Sequence, residues 1–421
     1  MFWIVSLAAL LRIVLSAHPG YIPDIGLFQT WAEKGAVSGM AFIYDTHVPG
    51  EPTDYPPLIP YMYIAAAKLM YWLTGTYTHN WTFRALMKIP AIASDLALVV
   101  GSYAVLRPIY GEKRARLAAA LLAFFPATWF LSAMWGQTDS VYALILTGAI
   151  VAIAARRLSL AGALAGMALL TKFQAVAYFP LFAGLVVVEW RRIHAFALGA
   201  FGAMAAIVLP FIITGKLTEV GRAYSHAFGA YPLVSIDALG IWNVFFLGRG
   251  DKVGDAGTFS GISYKAIGLL LFGTAAALLM AWLVLRLRER RDSLGFRERL
   301  ELTSTCAAVF SIAFFTLPTQ IHERYFFPFL IFALPWALAN RVNGSLYTAL
   351  ISVFFLNILA VFLAEPHYGY PYWGAPALKT ALSIVFISVA AIVVFRMLKI
   401  PNRVPSMSVA SGTRISAQPA V

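Results

Sequence analysis

The sequence has few charged residues and almost no cysteine. Charged residues make up 12% and hydrophobic residues 60% of its 421 positions, whereas a soluble domain is typically about a quarter charged. The single cysteine, Cys306, excludes a disulfide framework and matches no metal-binding pattern. These shortages argue against a soluble domain and predict a protein that crosses a membrane several times.

The net charge of +13 does not indicate a nucleic-acid partner, because the basic residues lie in short loops between apolar segments. These loops read RPIYGEKRAR (107–116), ARR (155–157), WRR (190–192) and RLRERRDSLGFRER (286–299). An excess of lysine and arginine is typical of cytoplasmic loops. We therefore expect no nucleic-acid binding, and we place these loops in the cytoplasm.

Apolar segments approaching the length of about 20 residues that a span needs recur along the chain. They should be helices, because lipid offers no partner to backbone polar groups. The candidate spans are 1–17, 57–74, 85–106, 117–135, 140–155, 159–173, 175–189, 195–213, 263–285, 301–318, 325–340, 345–363 and 375–396. The first lacks the basic start of a signal peptide and is interpreted as a retained span. The sequence thus predicts an all-α polytopic domain over 1–399 and a disordered cytoplasmic tail over 400–421.

With the basic loops inside, seven other loops fall on the outer side. They are 18–56, 76–84, 136–139, the turn at 171–174, 214–262, 319–324 and 364–374. Twelve of the nineteen acidic residues and six of the seven histidines lie in them, so the side chains capable of chemistry collect on the non-cytoplasmic face. The number of membrane crossings near 57–74 stays open. Since the loops 18–56 and 76–84 are both external, the segment 57–74 cannot be a single full crossing. Either it enters the membrane and returns to the same side, or the loop at 107–116 is assigned to the wrong side.

The first outer loop carries the first candidate for chemistry. Apolar residues at helical spacing from Ile25 to Ala36 predict an amphipathic helix at the membrane interface. Pro23 would begin this helix and Asp24 would lie at its N-terminus. Asp24 is therefore either a helix cap or a catalytic carboxylate.

The same loop ends in TDYPPL (53–58). Its two prolines stiffen the entry to the next helix and would hold Asp54 and Tyr55 at the membrane surface. By itself, Asp54 is as well explained by a cap at the start of a helix.

Two further outer turns carry polar residues. MWGQTDSVY (134–142) offers Gln137 and Asp139, of which Asp139 could equally cap the following helix. In LLTKFQAVAYFP, Lys172 and Gln174 interrupt an apolar region. A lysine there is costly unless it snorkels or pairs with an anion.

The last polar cluster is QIHERY (320–325), between two apolar stretches. Helical geometry would put His322 and Tyr325 on one face. Arg324 offers a rigid fork suited to a phosphate, and His322 could donate a second hydrogen bond. Glu323 would hold Arg324 in place, or would form a purely structural ion pair with it.

These clusters, though far apart in sequence, are predicted to meet in one outer cavity. Such a cavity would offer a carboxylate base and a set of cations. Glycosyl transfer from a lipid phosphate needs both: a base for the acceptor hydroxyl and positive charge for the departing phosphate.

The polar motifs follow one another along the chain as an outer-loop Asp, DYPPL, FRALMKIPAIASDL, GQTD, KFQAVAYFP and HERY. This order resembles that of the GT-C superfamily of integral-membrane glycosyltransferases. The resemblance is to the branch of dolichyl- or polyprenyl-phosphate-glucose (or mannose) dependent enzymes, and it covers roughly residues 10–330. It implies a GT-C-like bundle of about 11–13 transmembrane helices. The chain departs from the eukaryotic relatives in being shorter and in reading HERY for HEK, which leaves the sugar and the acceptor undetermined.

The resemblance also implies roles for the residues above. Asp24 would be the base of an inverting hexosyltransferase, with Asp54 in reserve. Lys172, His322 and Arg324 would bind the donor phosphate. The residues assigned to substrate binding are Tyr55, Gln137, Asp139, Gln174, Glu323 and Trp242.

Trp242 lies in the long outer loop 214–262, which is expected to form the active-site cavity together with loop 18–56. Stacking on a sugar and anchoring at the membrane interface are both open to this side chain. No cofactor is implied: a monophosphate donor does not require a divalent ion and no paired-carboxylate cage is evident, so the use of a divalent metal is left open.

The partners expected are therefore a polyprenyl-phosphate sugar, a lipid-linked or glycan acceptor and the lipid bilayer. The protein is expected in a bacterial plasma membrane with its active site on the non-cytoplasmic face. The alternatives are a transporter or flippase of a lipid-linked sugar and a surface-polysaccharide polymerase. A transporter should place ionisable groups near the midplane in repeated halves, whereas here they gather at one surface, with Asp95 as the main exception, and no matching halves are found.

Overall fold

The chain folds almost entirely into helices. This computed structural model describes residues 1–48, 53–227, 229–289, 294–370 and 374–399, so the predicted tail 400–421 lies outside the described residues. The α-helices are α1 (Phe2–Ser16), α2 (Ile22–Ser38), α3 (Leu58–Thr74), α4 (Trp81–Tyr110), α5 (Glu112–Phe124), α6 (Pro126–Trp129), α7 (Asp139–Ala154), α8 (Leu158–Leu169), α9 (Phe179–Val188), α10 (Ile193–Ile213), α11 (Leu217–Ala227), α12 (Ile241–Phe245), α13 (Tyr264–Glu289), α14 (Phe296–Thr316), α15 (Phe329–Phe332), α16 (Leu334–Ala337), α17 (Arg341–Ala364) and α18 (Pro376–Leu398).

The remaining elements are short. A π-helix at Phe130–Trp135 follows α6, and 3₁₀ turns lie at Met40–Phe42, Phe173–Tyr178, Trp190–Arg192 and Gly250–Lys252. Two strands, β1 (Thr258–Phe259) and β2 (Ile262–Ser263), pair antiparallel.

Long apolar helices confirm the predicted all-α membrane fold. Five of the described helices, α4, α10, α13, α17 and α18, are long and apolar enough to cross a bilayer, and the bent pair α5–α6 with its π-helix would make a sixth. Four more apolar segments, at Phe2–Ser16, Asp139–Ala154, Leu158–Leu169 and Phe173–Val188, are shorter. The helix α3, which carries Lys68, is not in either group.

One predicted span is wrong at the C-terminal side of the chain. The segment 325–340 was expected to be one span, but the chain turns at 323–328 and then forms only the single turns α15 and α16. Pro328 and Pro335 lie at the starts of these turns. Because proline has no N–H and clashes with the preceding turn, it breaks a continuous helix.

A buried ion pair explains the two charges that interrupt the first and fourth helices. Arg12 Nε donates to Asp95 Oδ2 at 2.7 Å, and Ser132 Oγ donates to the same oxygen at 2.9 Å. Arg12 also donates to the carbonyl of Ala123, where α5 ends before Pro126. Asp95 therefore holds helices together and gives no support to a midplane transport site.

The helix α2 is fastened to the turn after the π-helix. The N–H of Tyr21 donates to the carbonyl of Trp135 at 3.0 Å, and the rings of these two residues stack with centroids 4.6 Å apart. Gly136 follows with φ +92°, and a Cβ there would lie 2.3 Å from Ile25 Cδ1. A glycine is needed because both the left-handed backbone and the close approach of α2 exclude a side chain.

We expect Gly136→Ala to lower the free energy of unfolding by about 1–3 kcal/mol, through strain at the left-handed backbone. Thermal unfolding in detergent measures the change. Gly202→Ala is the matched control, since a Cβ there meets nothing within 4 Å, and alanine in a helix should leave the stability unchanged or raise it by about 0.5–1 kcal/mol. Equal effects of the two substitutions would contradict this account of the turn.

Candidate active site

One cavity gathers polar residues from most of the predicted clusters. It has a volume of about 610 Å³, in the range of sites that hold small ligands. Its polar lining, as we use the term, consists of Asp24, Asp54, Tyr55, Lys172, Gln174, His322 and Arg324. Loops 18–56 and 214–262 both contribute, the second through Ala227, Ala230 and Tyr231.

Asp24 lies in the first turn of α2, and its carboxylate is not a helix cap. The cap position is Tyr21, and it makes no side-chain cap hydrogen bond. Asp24 Oδ2 instead accepts hydrogen bonds from Trp135 Nε1 at 2.8 Å and from Gln137 Nε2 at 2.6 Å. The cap interpretation of Asp24 is therefore wrong, and its second oxygen, Oδ1, receives no hydrogen bond from the described part of the chain.

Gln137 connects this carboxylate to the neighbouring cation. Its Oε1 accepts from Tyr55 Oη and from Lys172 Nζ, both at 3.2 Å. Lys172 Nζ is also 3.1 Å from Asp139 Oδ1, and both side chains are almost fully buried. Lys172 does not snorkel: it is held by an anion of the protein itself. Burial lowers the pKa of Lys172, and Asp139 opposes that shift.

Arg324 is the second cation at the cavity. Its Nη1 donates to Glu323 Oε1 at 2.7 Å and lies 3.4 Å from His322 Nδ1. Burial alone would raise the pKa of Glu323, but the charge of Arg324 outweighs it, and the pKa falls to about 2. Arg324 lines the cavity, so its guanidinium can face an anion there; Nε itself is buried and has no hydrogen-bond partner among the described residues.

The QIHERY segment is not helical, contrary to the geometry expected from its sequence. Gln320 has φ +64°, and the backbone that follows pairs with the long outer loop: Ile236 N donates to Ile321 O at 2.9 Å and Glu323 N donates to Ile236 O at 3.1 Å. The Gln320 side chain turns away to Asp255, at 2.5 Å. Although the helix is absent, the rings of His322 and Tyr325 do meet, with centroids 5.1 Å apart.

Burial, and then the charge of Arg324, lowers the pKa of His322 below its usual value of about 6.5. The unfolded chain then takes up a proton near that pH more readily than the folded one. This histidine therefore favours the folded state above about pH 6.5 and loses that contribution as the pH falls. We expect the melting temperature of the wild type to fall more steeply than that of His322→Gln as the pH is lowered from neutral to about 5.5. Parallel declines would contradict a buried, neutral His322.

The cavity also has an apolar lining, formed by α9, α13, α14 and the 3₁₀ turn before α9. Its members are Val176, Ala177, Phe179, Pro180, Ala183, Leu269, Phe272 and Phe314. Val176 is 37% exposed, Phe179 39% and Leu269 49%. Since these side chains are both in the cavity and on the apolar surface of the molecule, the cavity reaches the face that lipid would cover.

Not every predicted site residue lines the cavity. Gln137, Asp139 and Glu323 are buried and hold the lining residues in place. Trp242 is not part of this site: its ring contacts Phe246 and Tyr264, it lines a separate pocket, and its Nε1 donates to Leu317 O at 2.9 Å. The sequence did not predict Trp135 as a partner of Asp24, because an indole inside an apolar stretch gives no sign of its hydrogen bond.

Among the residues that the structure describes, no three His, Cys, Asp or Glu side chains are grouped to hold a metal ion.

Comparison with known proteins gives two findings. The model of glycosyltransferase family 87 matches residues 70–312, more than half of the chain. A crystal structure of ArnT from Cupriavidus metallidurans bound to undecaprenyl phosphate is similar in fold, with a TM-score of 0.51 and 15% identity over 94% of this chain and 77% of that one. No curated protein matches the sequence. The family match and the shared fold confirm the GT-C resemblance; the match includes Gln137 and Lys172 but ends before Arg324 and begins after Asp24.

Proposed function

The chain belongs to glycosyltransferase family 87, and from this membership we propose that it transfers a hexose from a polyprenyl-phosphate donor to an acceptor at the outer face of the membrane. The acceptor is a lipid-linked glycan, a polysaccharide or a glycolipid. Membership in a glycosyltransferase family favours this enzyme over the transporter or flippase. The membrane is proposed to be the plasma membrane of a bacterium.

The observation that carries this proposal is that one cavity joins a carboxylate, a guanidinium and an apolar surface open to lipid. Asp24 and Arg324 share the polar lining, and Leu269 and Phe272 belong to the apolar lining. A polyprenyl phosphate has the matching parts: an apolar tail, an anionic head and a sugar attached to the head. The undecaprenyl phosphate bound to the ArnT of similar fold supports the same donor class for this chain.

In the proposed reaction, Asp24 Oδ1 accepts the proton of the acceptor hydroxyl. The hydroxyl oxygen bonds to C1 of the hexose on the side opposite the phosphate, so the configuration at C1 inverts. The C1–O bond breaks and its electron pair stays on the phosphate oxygen. Arg324 stabilises that charge through its guanidinium, and Lys172 and His322 lie in the same lining to assist it.

Other residues of the cavity are proposed to orient the sugar. Burial, more than any other influence, raises the pKa of Tyr55 well above its usual range, so its hydroxyl keeps the proton that it donates to Gln137, and its oxygen can accept a hydrogen bond from a sugar hydroxyl. Gln174 lies beside Lys172 in the lining. Gln137, Asp139 and Glu323 act on the substrates through the side chains that they hold. Asp54 remains the reserve candidate for the base.

The experiment is incubation of the purified protein with short-chain polyprenyl-phosphate glucose, mannose and galactose in the presence of membrane extract as acceptor. Mass spectrometry should detect release of polyprenyl phosphate from one of the three. If the protein is a polymerase, its transfer of sugar should instead be inhibited by a diphosphate-linked oligosaccharide and not by the monophosphate donors. Release from none of the monophosphate donors, together with that inhibition, would overturn the proposal.

A further inference from the structure

The carboxylate of Asp24 is held from one side only. Both of its hydrogen-bond donors, Trp135 Nε1 and Gln137 Nε2, bind the same oxygen, Oδ2. Asp24 also lines the cavity, whereas Trp135 and Gln137 are 1% and 0% exposed. The two donors therefore lie behind the carboxylate, within the protein, and Oδ1 is the oxygen left for a substrate.

Each donor is itself fixed by contacts that leave it little freedom. The Trp135 ring is stacked on Tyr21 and lies 5.4 Å from the ring of Phe362, centroid to centroid. It sits at the end of a π-helix, just before the left-handed Gly136, and π-helical turns of this kind occur often at functional sites.

The amide of Gln137 is oriented by its surroundings. Tyr55 Oη and Lys172 Nζ both donate to Oε1, which leaves the NH₂ group facing Asp24. If the amide were reversed, NH₂ would face the ammonium of Lys172 and the oxygen would face the carboxylate of Asp24. Both contacts would then be repulsive, so one orientation is strongly preferred.

We infer that Trp135 and Gln137 form a clamp that positions Asp24, so that its free oxygen Oδ1 points at the acceptor hydroxyl. This inference rests on the proposed function, in which Asp24 is the base. Trp135 and Gln137 touch no reacting atom and are positioning residues. The clamp requires α2 to stay fastened to the turn at Gly136, which explains why Tyr21, Trp135 and Gly136 are packed so closely.

The test is Trp135→Phe, which keeps an aromatic ring for stacking and removes the indole N–H. Trp135 Nε1 donates to a charged carboxylate, and hydrogen bonds to charged groups are strong. Loss of this bond should therefore lower kcat by about 10- to 100-fold. The dissociation constant for polyprenyl phosphate without its sugar should stay unchanged, because Trp135 does not line the cavity. A merely structural role would change both quantities together. Gln137→Met, which lacks the amide, should also lower kcat if the Phe variant does not fold; its donor affinity is not used as a test, because Gln137 also holds Lys172.

Trp129→Phe is the matched control. Trp129 belongs to the neighbouring α6, and its Nε1 donates to a backbone carbonyl, Phe124 O, at 3.2 Å; kcat should be unchanged. Wild-type kcat in Trp135→Phe and in Gln137→Met, with Asp24→Asn inactive, would overturn the clamp and leave the proposed function standing. Full activity of Asp24→Asn would instead overturn the base assignment itself.

Discussion

Asp24→Asn should lower the transfer rate by about 10²- to 10⁴-fold, the contribution typical of a general base, in a protein that still folds. The two N–H donors from Trp135 and Gln137 require an oxygen opposite them. The asparagine oxygen therefore occupies the Oδ2 position, and its NH₂ group occupies the Oδ1 position. An NH₂ group accepts no proton, so the acceptor hydroxyl loses its base without a change in shape.

The rate at which polyprenyl phosphate is released measures this effect, and thermal unfolding shows whether the variant is folded. Glu33→Gln is the control on the same helix: its carboxylate is 44% exposed and pairs with His79 at 3.1 Å, so transfer should continue at the wild-type rate. Asp54→Asn belongs in the same series. If Asp54→Asn is inactive and Asp24→Asn is active, the base is Asp54.

The second large effect is expected at Arg324. Arg324→Ala removes the guanidinium that faces the departing phosphate, and kcat/KM for the donor should fall by about 10²- to 10³-fold, as for the loss of one group that stabilises developing negative charge. Affinity for polyprenyl phosphate should fall with it, while the KM for the acceptor should change little.

Loss of Arg324 also leaves Glu323 buried without its cation, which is costly in a protein interior. Arg324→Lys is therefore measured alongside, since it keeps the charge and should recover part of the donor affinity. Arg222→Ala is the control for a general loss of positive charge, because Arg222 is 73% exposed and pairs with Glu219. An equal loss of affinity for donor and acceptor in Arg324→Ala would show that the Arg324–Glu323 pair is only structural.

The helices were the part of the fold that the sequence predicted well. Apolar length is a local property, so segments such as 1–17, 195–213 and 375–396 became α1, α10 and α18 with ends close to those expected. The amphipathic stretch after Pro23 became α2 for the same reason. The single span expected at 325–340 was wrong, since Pro328 and Pro335 outweighed the apolar composition.

The site was predicted only where one residue's chemistry was enough to identify it. Asp24, Lys172 and Arg324 stand out as charges in apolar surroundings, and they do share one cavity. The partners of these charges depend on contacts between distant segments. Trp135 reaches Asp24 across more than a hundred residues, and the long outer loop holds QIHERY by backbone hydrogen bonds and by the bond between Gln320 and Asp255. Neither leaves a periodic signal in the sequence.

The most direct test of the account is a structure of the protein with a non-transferable polyprenyl-phosphate hexose, one whose bridging oxygen is replaced by carbon. The account predicts the phosphate within hydrogen-bonding distance of the Arg324 guanidinium, about 3 Å. It also predicts the lipid tail along Leu269 and Phe272, with C1 of the sugar between the phosphate and Asp24 Oδ1. A sugar–phosphate head bound outside this cavity, or bound with Asp24 and the phosphate on the same side of C1, would contradict it.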